Sequence, residues 1–435
     1  MWGAPGARGA SFVSGLRCVE CGALTADAPD ATLCAACCGN LDVNYDYERV
    51  RAAFARRADN PQTESPARRD RVAPPVPPAG TDGIWRWLPL LPLRARPRIP
   101  LPVGDTPLVE AERLARELGV ASLHIKDEGR NPSASLKDRA SAVAIGRALE
   151  ARAPRMTCAS TGNAASSLAT IAASVGLETV IFVPRTIPRP KLAQLLLHGA
   201  RVLVVDGDYD TAFDLSLEAT RRFGWLSRNS GFNPFLSEGK KTVALEILET
   251  LAWNPPDRIF VSVGDGCILG GVHKAISDCL ALGWIDIAPR LYGVQAEGAA
   301  PLVRAFRSGE QRVSATAAPA TFADSIAVGR PRDAAKALRA VRETGGEMLA
   351  VADDEIREAM RRLARDAGVF AEPAGAAGFA GFLRLVSEGR VAHDERIAVI
   401  VTGSGLKDVE SALSLVAAPE PIAANLDAAA RALGI

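Results

Sequence analysis

Residues 126–139 read Lys126-Asp-Glu-Gly-Arg-Asn-Pro-Ser-Ala-Ser-Leu-Lys137-Asp138-Arg139, and the apolar, alanine-rich residues 140–149 follow them. A polar, turn-forming run before such a segment predicts a helix that starts near Lys137. Because the start of a helix carries partial positive charge, it disfavours a second cation. The position suits an amine that must be neutral to act as a nucleophile. The alternative is a lysine that is merely solvated in a charged loop.

Outward from this stretch, short β-type runs alternate with alanine- and leucine-rich helical patterns, and an amphipathic helix is expected near residues 110–119. Most runs end in a Gly- or Ser-rich turn, which is typical of a parallel sheet covered on both faces by helices. In open α/β sheets ligands bind outside the carboxyl ends of the strands. The predicted strands are 122–125, 156–159, 179–183, 202–205, 258–263, 290–295 and 396–401.

The composition of the 435-residue chain is close to the globular average, with 48% apolar and 23% charged residues. A net charge of +1 gives no reason to expect nucleic acid as a partner. The sequence lacks an uninterrupted apolar run of about eighteen residues, which a membrane helix needs. Residues 1–15 also lack the apolar core of a signal peptide. We therefore expect no membrane partner and a cytoplasmic location.

Among the eight cysteines are two Cys-x-x-Cys pairs, Cys18 with Cys21 and Cys34 with Cys37, separated by twelve residues. In a reducing compartment such pairs favour tetrahedral zinc over disulfides. The spacer is slightly short for this arrangement, so reduced thiols in a metal-free lobe are the alternative. Four thiolates leave a metal no open position, so the zinc would be structural. We expect residues 1–48 to form a four-cysteine, zinc-ribbon-like lobe and the proline- and arginine-rich residues 49–80 to form a linker.

Two loops follow predicted strands and precede predicted helices. The first is Ser160-Thr161-Gly162-Asn163, whose polar side chains could simply cap the helix. The second is Gly264-Asp265-Gly266-Cys267-Ile268, where glycines and the N–H groups at a helix start can hold an anion such as phosphate. Leu269 stands where a dinucleotide fingerprint requires its third glycine. A single small phosphate is therefore the expected ligand.

Two further loops are Ser237-Glu-Gly-Lys-Lys-Thr242, which opens a helix, and Thr402-Gly-Ser-Gly-Leu-Lys-Asp408, which follows the last strong strand. A reactive lysine, a phosphate cradle, an asparagine loop and a hydroxyl after a buried strand together meet the needs of pyridoxal phosphate. The lysine forms a Schiff base, the glycine loop holds the phosphate, and side chains fix the ring edges.

Five motifs follow one another in the chain: Ser135-Leu-Lys137-Asp-Arg139, Ser160-Thr-Gly-Asn-Ala164, Val294-Gln-Ala-Glu-Gly298, Ala371-Glu-Pro-Ala-Gly375 and Thr402-Gly-Ser-Gly-Leu-Lys-Asp408. In this order they resemble the motifs of threonine synthase and its relatives, which are β-family, fold type II pyridoxal phosphate enzymes. The cysteine pairs before Leu41-Asp-Val-Asn-Tyr-Asp46 are similar to the N-terminus of many threonine synthase-like sequences.

The resemblance implies a tryptophan synthase β-like α/β architecture, with two open α/β domains and the cofactor between them. We expect residues 81–142 and 226–425 to form the large cofactor-binding domain and residues 143–225 a small mobile domain. A homodimer is also implied.

The resemblance further implies roles for single residues. Lys137 carries the cofactor as a Schiff base and then moves protons at Cα and Cβ of the substrate. Asn163 binds the ring oxygen, and Thr402 meets the pyridine nitrogen as a neutral hydroxyl, which favours elimination and replacement over transamination. The substrate carboxylate is assigned to Ser160, Thr161 and Gly162, and the cofactor phosphate to the backbone of Gly264, Asp265, Gly266, Cys267 and Ile268.

One departure concerns the substrate. Threonine synthases usually carry an arginine after Asn-Pro-aromatic, and this arginine helps to bind the phosphate of phosphohomoserine. Here Leu236 stands at that point, and a leucine cannot make the bidentate contact that phosphate favours. Arg228, Lys240 and Lys241 are candidates to compensate.

We therefore expect a pyridoxal phosphate-dependent lyase that acts on a small amino acid and converts O-phosphohomoserine to threonine and phosphate. One alternative is a β-eliminating or β-replacing relative, such as a serine or threonine ammonia-lyase or a sulfur-amino-acid synthase. Another is a non-catalytic regulatory relative, against which the intact Lys137, Asn163 and Thr402 argue.

Overall fold

The structure, a computed structural model, describes residues 11–58, 82–185, 187, 189–207, 209–310 and 312–435. Its first part is a small antiparallel sheet in the strand order β2–β1–β3. The strands are β1 (Val13–Cys18), β2 (Leu24–Thr25) and β3 (Leu41–Tyr45), and helix α1 (Tyr47–Ala58) follows.

Helix α1 shows that the prediction was wrong for the first part of the linker. Residues 49–80 are predicted to be a linker, but residues 49–58 are helical. Val50 and Phe54 lie one turn apart and are both buried, and the ring of Phe54 meets Trp284 edge-on with centroids 5.1 Å apart. This apolar face stabilises the helix against the main body. Residues 59–80 of the predicted linker, like residues 1–10 of the predicted cysteine lobe, lie outside the described residues.

The chain enters the main body through a short 3₁₀ helix, Gly83–Leu90, in which Trp85 and Trp87 are buried. The next elements are β4 (Leu108–Glu110), α2 (Glu112–Leu118), β5 (Ser122–Asp127) and α3 (Lys137–Glu150). Gly119 ends α2 with a φ of 69°, a left-handed conformation that glycine adopts without strain. The predicted helix near residues 110–119 is thus confirmed, with a later start.

The middle of the chain forms a parallel four-stranded sheet in the order β8–β7–β6–β9. Its elements are β6 (Arg155–Ala159), α4 (Asn163–Ala173), β7 (Glu178–Pro184), α5 (Arg189–Leu197), β8 (Arg201–Val205), α6 (Tyr209–Phe223) and β9 (Leu226–Ser227).

The remaining strands join β4 and β5 in a six-stranded sheet in the order β12–β11–β10–β13–β5–β4. Only β4 runs antiparallel to its neighbour in this sheet. The elements are α7 (Phe235–Thr250), β10 (Arg258–Ser262), α8 (Cys267–Leu282), β11 (Arg290–Ala296), α9 (Pro301–Ser308), α10 (Ala334–Glu343), β12 (Glu347–Val351), α11 (Asp353–Ala367), α12 (Pro373–Ser387), β13 (Arg396–Val401), α13 (Val409–Leu413) and α14 (Leu426–Leu433).

Every strand predicted from the sequence is present, with ends that differ by at most two residues. The prediction missed β12, whose run Met348-Leu-Ala-Val351 is short and apolar. Periodicity alone cannot tell such a run from part of a buried helix. The short strands β4 and β9 and the strands of the cysteine lobe were missed as well.

Both faces of the six-stranded sheet are buried, as expected for strands that cross over through helices. Along β10 the side chains alternate between two hydrophobic clusters: Ile259 and Val261 pack on one side and Phe260 on the other. No helix within the described ranges is both long and apolar enough to cross a membrane.

Candidate active site

Lys137 is the first residue of α3, as the sequence predicts. The preceding loop is tied to the loop after β13, because the N–H of Leu136 donates to the carbonyl of Thr402 at 2.9 Å. Asp138 accepts from Ser133 twice, at 2.6 Å from the backbone N–H and at 2.5 Å from the hydroxyl. These bonds fix Lys137 where β5 and β13 end.

The surroundings of Lys137 favour its neutral form. Burial, followed by the cations of Lys240 and Arg228, lowers the pKa of Lys137 to about 8. At pH 7 about one in ten such amines is therefore neutral, far more than for an ordinary lysine. Lys137 lines a cavity and is not a solvated residue of a charged loop.

The loop between β6 and α4 carries Ser160, Thr161 and Gly162, and Asn163 begins the helix. The N–H of Gly162 donates to the hydroxyl of Ser160 at 3.1 Å, and no side chain caps the first turn of α4. Helix capping therefore does not explain these polar residues. The side-chain amide of the buried Asn163 donates instead to Glu372, at 2.7 Å between Nδ2 and Oε1.

The glycine loop lies between β10 and α8, which begins at Cys267. Gly266 has a φ of +94°, and a Cβ at this position would lie 2.8 Å from the Cβ of Ala337. Only glycine fits such a turn. The first N–H groups of α8 have no partner inside the helix, so they form a site suited to an anion.

Asp265 stabilises the conformation of the glycine loop through hydrogen bonds and is not a free anion. Its Oδ1 accepts from the N–H of Arg332 at 3.1 Å, and its carbonyl accepts from the N–H of Asp333 at 2.9 Å. Burial is the largest cause that raises the pKa of Asp265.

Glu372 is a site residue that the sequence analysis did not assign, although it lies within the Ala371–Gly375 motif. It stands directly before α12, and its N–H donates to the carbonyl of Gly403 at 3.0 Å. A Cβ at Gly403 would lie 2.3 Å from Oε1 of Glu372, so any larger residue there would displace this carboxyl. Burial raises the pKa of Glu372. Glu372 thus joins the Thr402 loop, through its backbone N–H, to Asn163, through its carboxyl.

These loops surround a cavity of about 890 Å³. This volume lies within the range of about 300–1,000 Å³ that is usual for ligand sites. The cavity walls include every residue predicted for the cofactor and the substrate: Lys137, Ser160, Thr161, Gly162, Asn163, Gly264, Asp265, Gly266, Cys267, Ile268 and Thr402. The individual roles of these residues stay predictions.

The residues discussed in connection with the missing phosphate-binding arginine lie in different surroundings. Leu236 is buried in the hydrophobic core and does not line the cavity. Lys241 is buried between Glu238 and Asp278, with 2.6 Å to each carboxylate. Lys240 lines the cavity and is fully buried. Its Nζ has no hydrogen-bond partner among the described residues.

The predicted metal ligands also come together. The sulfur atoms of Cys18, Cys21, Cys34 and Cys37 all lie within 4.8 Å of one another. Cys18 and Cys37 are 3.5 Å apart and Cys21 and Cys34 are 3.6 Å apart, sulfur to sulfur. In a tetrahedral zinc–thiolate site neighbouring sulfurs are about 3.8 Å apart, so the cluster has nearly the size of such a site.

Comparison with known families shows where the chain belongs. The family model described as "Pyridoxal-phosphate dependent enzyme" matches residues 99–403. The chain belongs to this family. The matched segment contains the whole cavity wall named above, from Lys137 to Thr402.

Within the family, the chain is threonine synthase-like. It is 38% identical to the threonine synthase of Methanocaldococcus jannaschii over 94% of this chain and 96% of that protein. It is 36% identical to the threonine synthase of Methanosarcina acetivorans over 96% of this chain and 98% of that protein. The resemblance inferred from the motifs is therefore confirmed. The protein is a pyridoxal phosphate-dependent enzyme of the lyase type with a threonine synthase-like function.

Solved structures confirm the expected fold class. The processed form of threonine deaminase isoform 2 from Solanum lycopersicum aligns with a TM-score of 0.62 at 25% identity, over 72% of this chain and 87% of that chain. Maize serine racemase aligns with a TM-score of 0.61 at 22% identity, over 71% of this chain and 91% of that chain. The α/β fold is thus that of fold type II pyridoxal-phosphate dependent enzymes.

Proposed function

We propose that this enzyme converts O-phosphohomoserine to threonine and inorganic phosphate, with pyridoxal phosphate held at Lys137. The observation that carries the proposal is the match to the threonine synthase of M. jannaschii, which covers 96% of that protein. A match over 94% of this chain extends well beyond the cofactor-binding loops.

The residues of the cavity fit pyridoxal phosphate. The amine of Lys137, with its pKa lowered to about 8, suits covalent attachment. The N–H groups at the start of α8 and the unpaired Nζ of Lys240 suit the phosphate. The amide of Asn163 donates one hydrogen to Glu372 and keeps a second for the ring oxygen. Thr402 offers a neutral hydroxyl to the ring nitrogen.

When bound, pyridoxal phosphate supplies an electron sink for negative charge at Cα of the substrate. Lys137 removes and returns protons at Cα and Cβ, because a group with a pKa of about 8 acts as both base and acid near neutral pH. Ser160, Thr161 and the N–H groups at the start of α4 bind and orient the substrate carboxylate. After phosphate has left Cγ, the proton taken from Cβ is delivered to Cγ, and water adds its hydroxyl at Cβ while its remaining proton goes to the phosphate.

The absence of an arginine at position 236 does not argue against a phosphorylated substrate. Leu236 packs in the core, so no ligand in the cavity contacts it. Arg330 lines the cavity, and its guanidinium has the planar donors that suit a phosphate dianion. We assign Arg330 as a candidate for the substrate phosphate.

The test supplies O-phosphohomoserine, serine, threonine and O-phosphoserine separately to the purified holoenzyme. Threonine and phosphate released in equal amounts from O-phosphohomoserine, with little turnover of the others, is the expected result. Release of ammonia from serine or threonine, without threonine formation from O-phosphohomoserine, would overturn the proposal in favour of an ammonia-lyase.

We also propose that Cys18, Cys21, Cys34 and Cys37 bind a structural zinc ion. The support is the packing of all four sulfurs within 4.8 Å, which leaves no position open for a catalytic ligand. Metal analysis should give about one zinc ion per chain. A metal-free protein of unchanged stability, purified under reducing conditions, would contradict this.

Our further proposals are a cytoplasmic location and a homodimer. Cysteines that form no disulfide suit a reducing compartment. The side chains of Leu406, Leu413 and Val416 are apolar and exposed, which suits contact with a second copy of the chain. Light scattering of the purified protein tests the dimer, and a monomer at micromolar concentration would contradict it.

A further inference from the structure

Lys240 is a buried cation that forms no ion pair with any described residue. Its side chain is fully buried, and its Nζ makes no hydrogen bond to any residue in the described ranges. A buried ammonium without a partner is costly, so proteins rarely keep one without a ligand or a function. Its neighbour Lys241 is equally buried but contacts two carboxylates, Glu238 and Asp278.

The side chain of Lys240 lines the cavity beside the start of α8. Helices α7 and α8 approach each other closely here, since a Cβ at Gly271 would lie 2.9 Å from the Cβ of Lys240. Gly271 is one turn beyond Cys267, the first residue of α8. In a helix, long side chains point back toward the N-terminus, which brings the Lys240 ammonium over the preceding turn of α7.

The acidic groups of the glycine loop lie near Lys240 but make no hydrogen bond to its Nζ. Asp265 uses its Oδ1 to accept from the N–H of Arg332 at 3.1 Å. Burial raises the pKa of the Cys267 thiol to about 12, so this group is neutral at pH 7. Lys240 is also a cause of the lowered pKa of Lys137, which indicates that the two amines lie near each other in the cavity.

We propose that Lys240 Nζ and the N–H groups at the start of α8 together bind a phosphate dianion. Two independent features point to this ligand: a 16-residue helix that begins at the cavity, and a buried ammonium without a hydrogen-bond partner that lines the same cavity. An anion there receives a full positive charge in addition to backbone donors.

The phosphate dianion can come from the cofactor or from the substrate. The assignment to the substrate rests on the proposed function. The first arm of the test measures the binding of pyridoxal phosphate and of pyridoxal to full-length protein freed of cofactor. Lys240→Met should weaken the binding of pyridoxal phosphate at least about tenfold more than that of pyridoxal, because only the former has a phosphate and a change in the pKa of Lys137 affects both alike.

The second arm measures KM on the holoenzyme at saturating cofactor. A rise in KM for O-phosphohomoserine of about tenfold in Lys240→Met, with cofactor affinity unchanged, assigns the site to the substrate phosphate. If neither cofactor affinity nor KM changes, the proposal is overturned.

Thermal unfolding with inorganic phosphate adds a readout that does not depend on the proposed function. Phosphate should raise the melting temperature of cofactor-free wild-type protein and have little effect on Lys240→Met. Without phosphate, Lys240→Met should melt higher than wild type, since it removes an unpaired buried charge. The control Lys241→Met should melt lower, because it removes the cation shared by the buried carboxylates of Glu238 and Asp278, and should still respond to phosphate. Equal phosphate responses of wild type and Lys240→Met would also overturn the proposal.

The two proposals fail in different ways. A wild-type protein that binds no pyridoxal phosphate contradicts the proposed function, and the response to inorganic phosphate still decides the role of Lys240. If wild type and Lys240→Met bind the cofactor equally well and turn over O-phosphohomoserine equally well, only the role of Lys240 is contradicted.

Discussion

The side-chain amide of Asn163 donates a hydrogen bond to Glu372, with 2.7 Å between Nδ2 and Oε1. Asn163 begins α4, which follows a strand of the four-stranded sheet, and Glu372 directly precedes α12, which covers the six-stranded sheet. This buried bond therefore joins the two halves of the cavity. An amide anchored through one hydrogen presents its second hydrogen in a fixed direction.

Replacing Glu372 should therefore impair the site more than the fold. In Glu372→Ala the amide of Asn163 loses its acceptor, and we expect kcat/KM to fall by about 10- to 100-fold. Glu372→Gln keeps an acceptor oxygen at the same place and should retain most of the activity. Steady-state kinetics with circular dichroism as a check on folding measures this. An alanine variant as active as the glutamine variant would contradict the positioning role.

The sequence allowed the prediction of site residues whose position depends only on the order of a strand, a loop and a helix, because each such unit has its own apolar pattern. Lys137 at the start of α3 and the glycine loop before α8 are such positions. Leu236 and Lys240 are different, because they lie one turn apart on the same side of α7. Packing against neighbouring helices decides that the first joins the core and the second reaches the cavity. No local pattern contains that information.

Glu372 escaped assignment for a related reason. A carboxyl before a proline at a helix start is, on sequence alone, a favourable charge at a helix N-terminus. Its partner Asn163 lies 209 positions away along the chain. Only the folded arrangement of the two sheets reveals the bond between them.

The reactivity of Lys137 should depend on pH with a midpoint near its lowered pKa of about 8. Only the neutral amine attacks a carbonyl, so the rate at which cofactor-free protein reacts with pyridoxal should rise with pH through this value. Stopped-flow absorbance measures the rate, and Lys137→Ala should show no such reaction. A midpoint near 10 would mean that the surroundings do not lower the pKa of Lys137.

Removal of the neighbouring cation should move this midpoint upward. In Lys240→Met the ammonium form of Lys137 no longer faces a like charge, so its pKa should rise and the rate at pH 7.5 should fall. Pyridoxal is the right probe because it lacks the phosphate through which Lys240 would otherwise affect binding. An unchanged midpoint would show that Lys240 does not contribute to the lowered pKa of Lys137.

Arg330 should contribute to the binding of the substrate and not to the binding of the cofactor. Arg330→Met removes the guanidinium from the cavity wall, and we expect KM for O-phosphohomoserine to rise by about tenfold, with kcat and cofactor affinity nearly unchanged. Arg312→Met is a matched control, because Arg312 is exposed and does not line the cavity. Equal KM values for the two variants would exclude a phosphate contact by Arg330.

The cysteine lobe should influence the cavity through Asn40, which lies three residues after the last predicted metal ligand, Cys37. The amide of Asn40 donates to the carbonyls of Gly231 and Arg332, at 2.9 Å and 3.1 Å. Gly231 and Arg332 are in close contact, since a Cβ at Gly231 would lie 2.2 Å from the Cβ of Arg332. Arg332 itself lines the cavity.

We therefore expect Asn40→Asp to lower kcat/KM by about tenfold and the free energy of unfolding by about 1–3 kcal/mol, because a carboxylate cannot donate to two buried carbonyls. Asn44→Asp lies on β3 in the same lobe and is the matched control. Removal of metal with a chelator should reproduce the kinetic effect in wild type if the cysteine cluster holds Asn40 in place. In Asn40→Asp the link is already broken, so the chelator should cause little additional loss of activity. A chelator effect of equal size in both proteins would mean that the lobe acts on the cavity by a route other than Asn40.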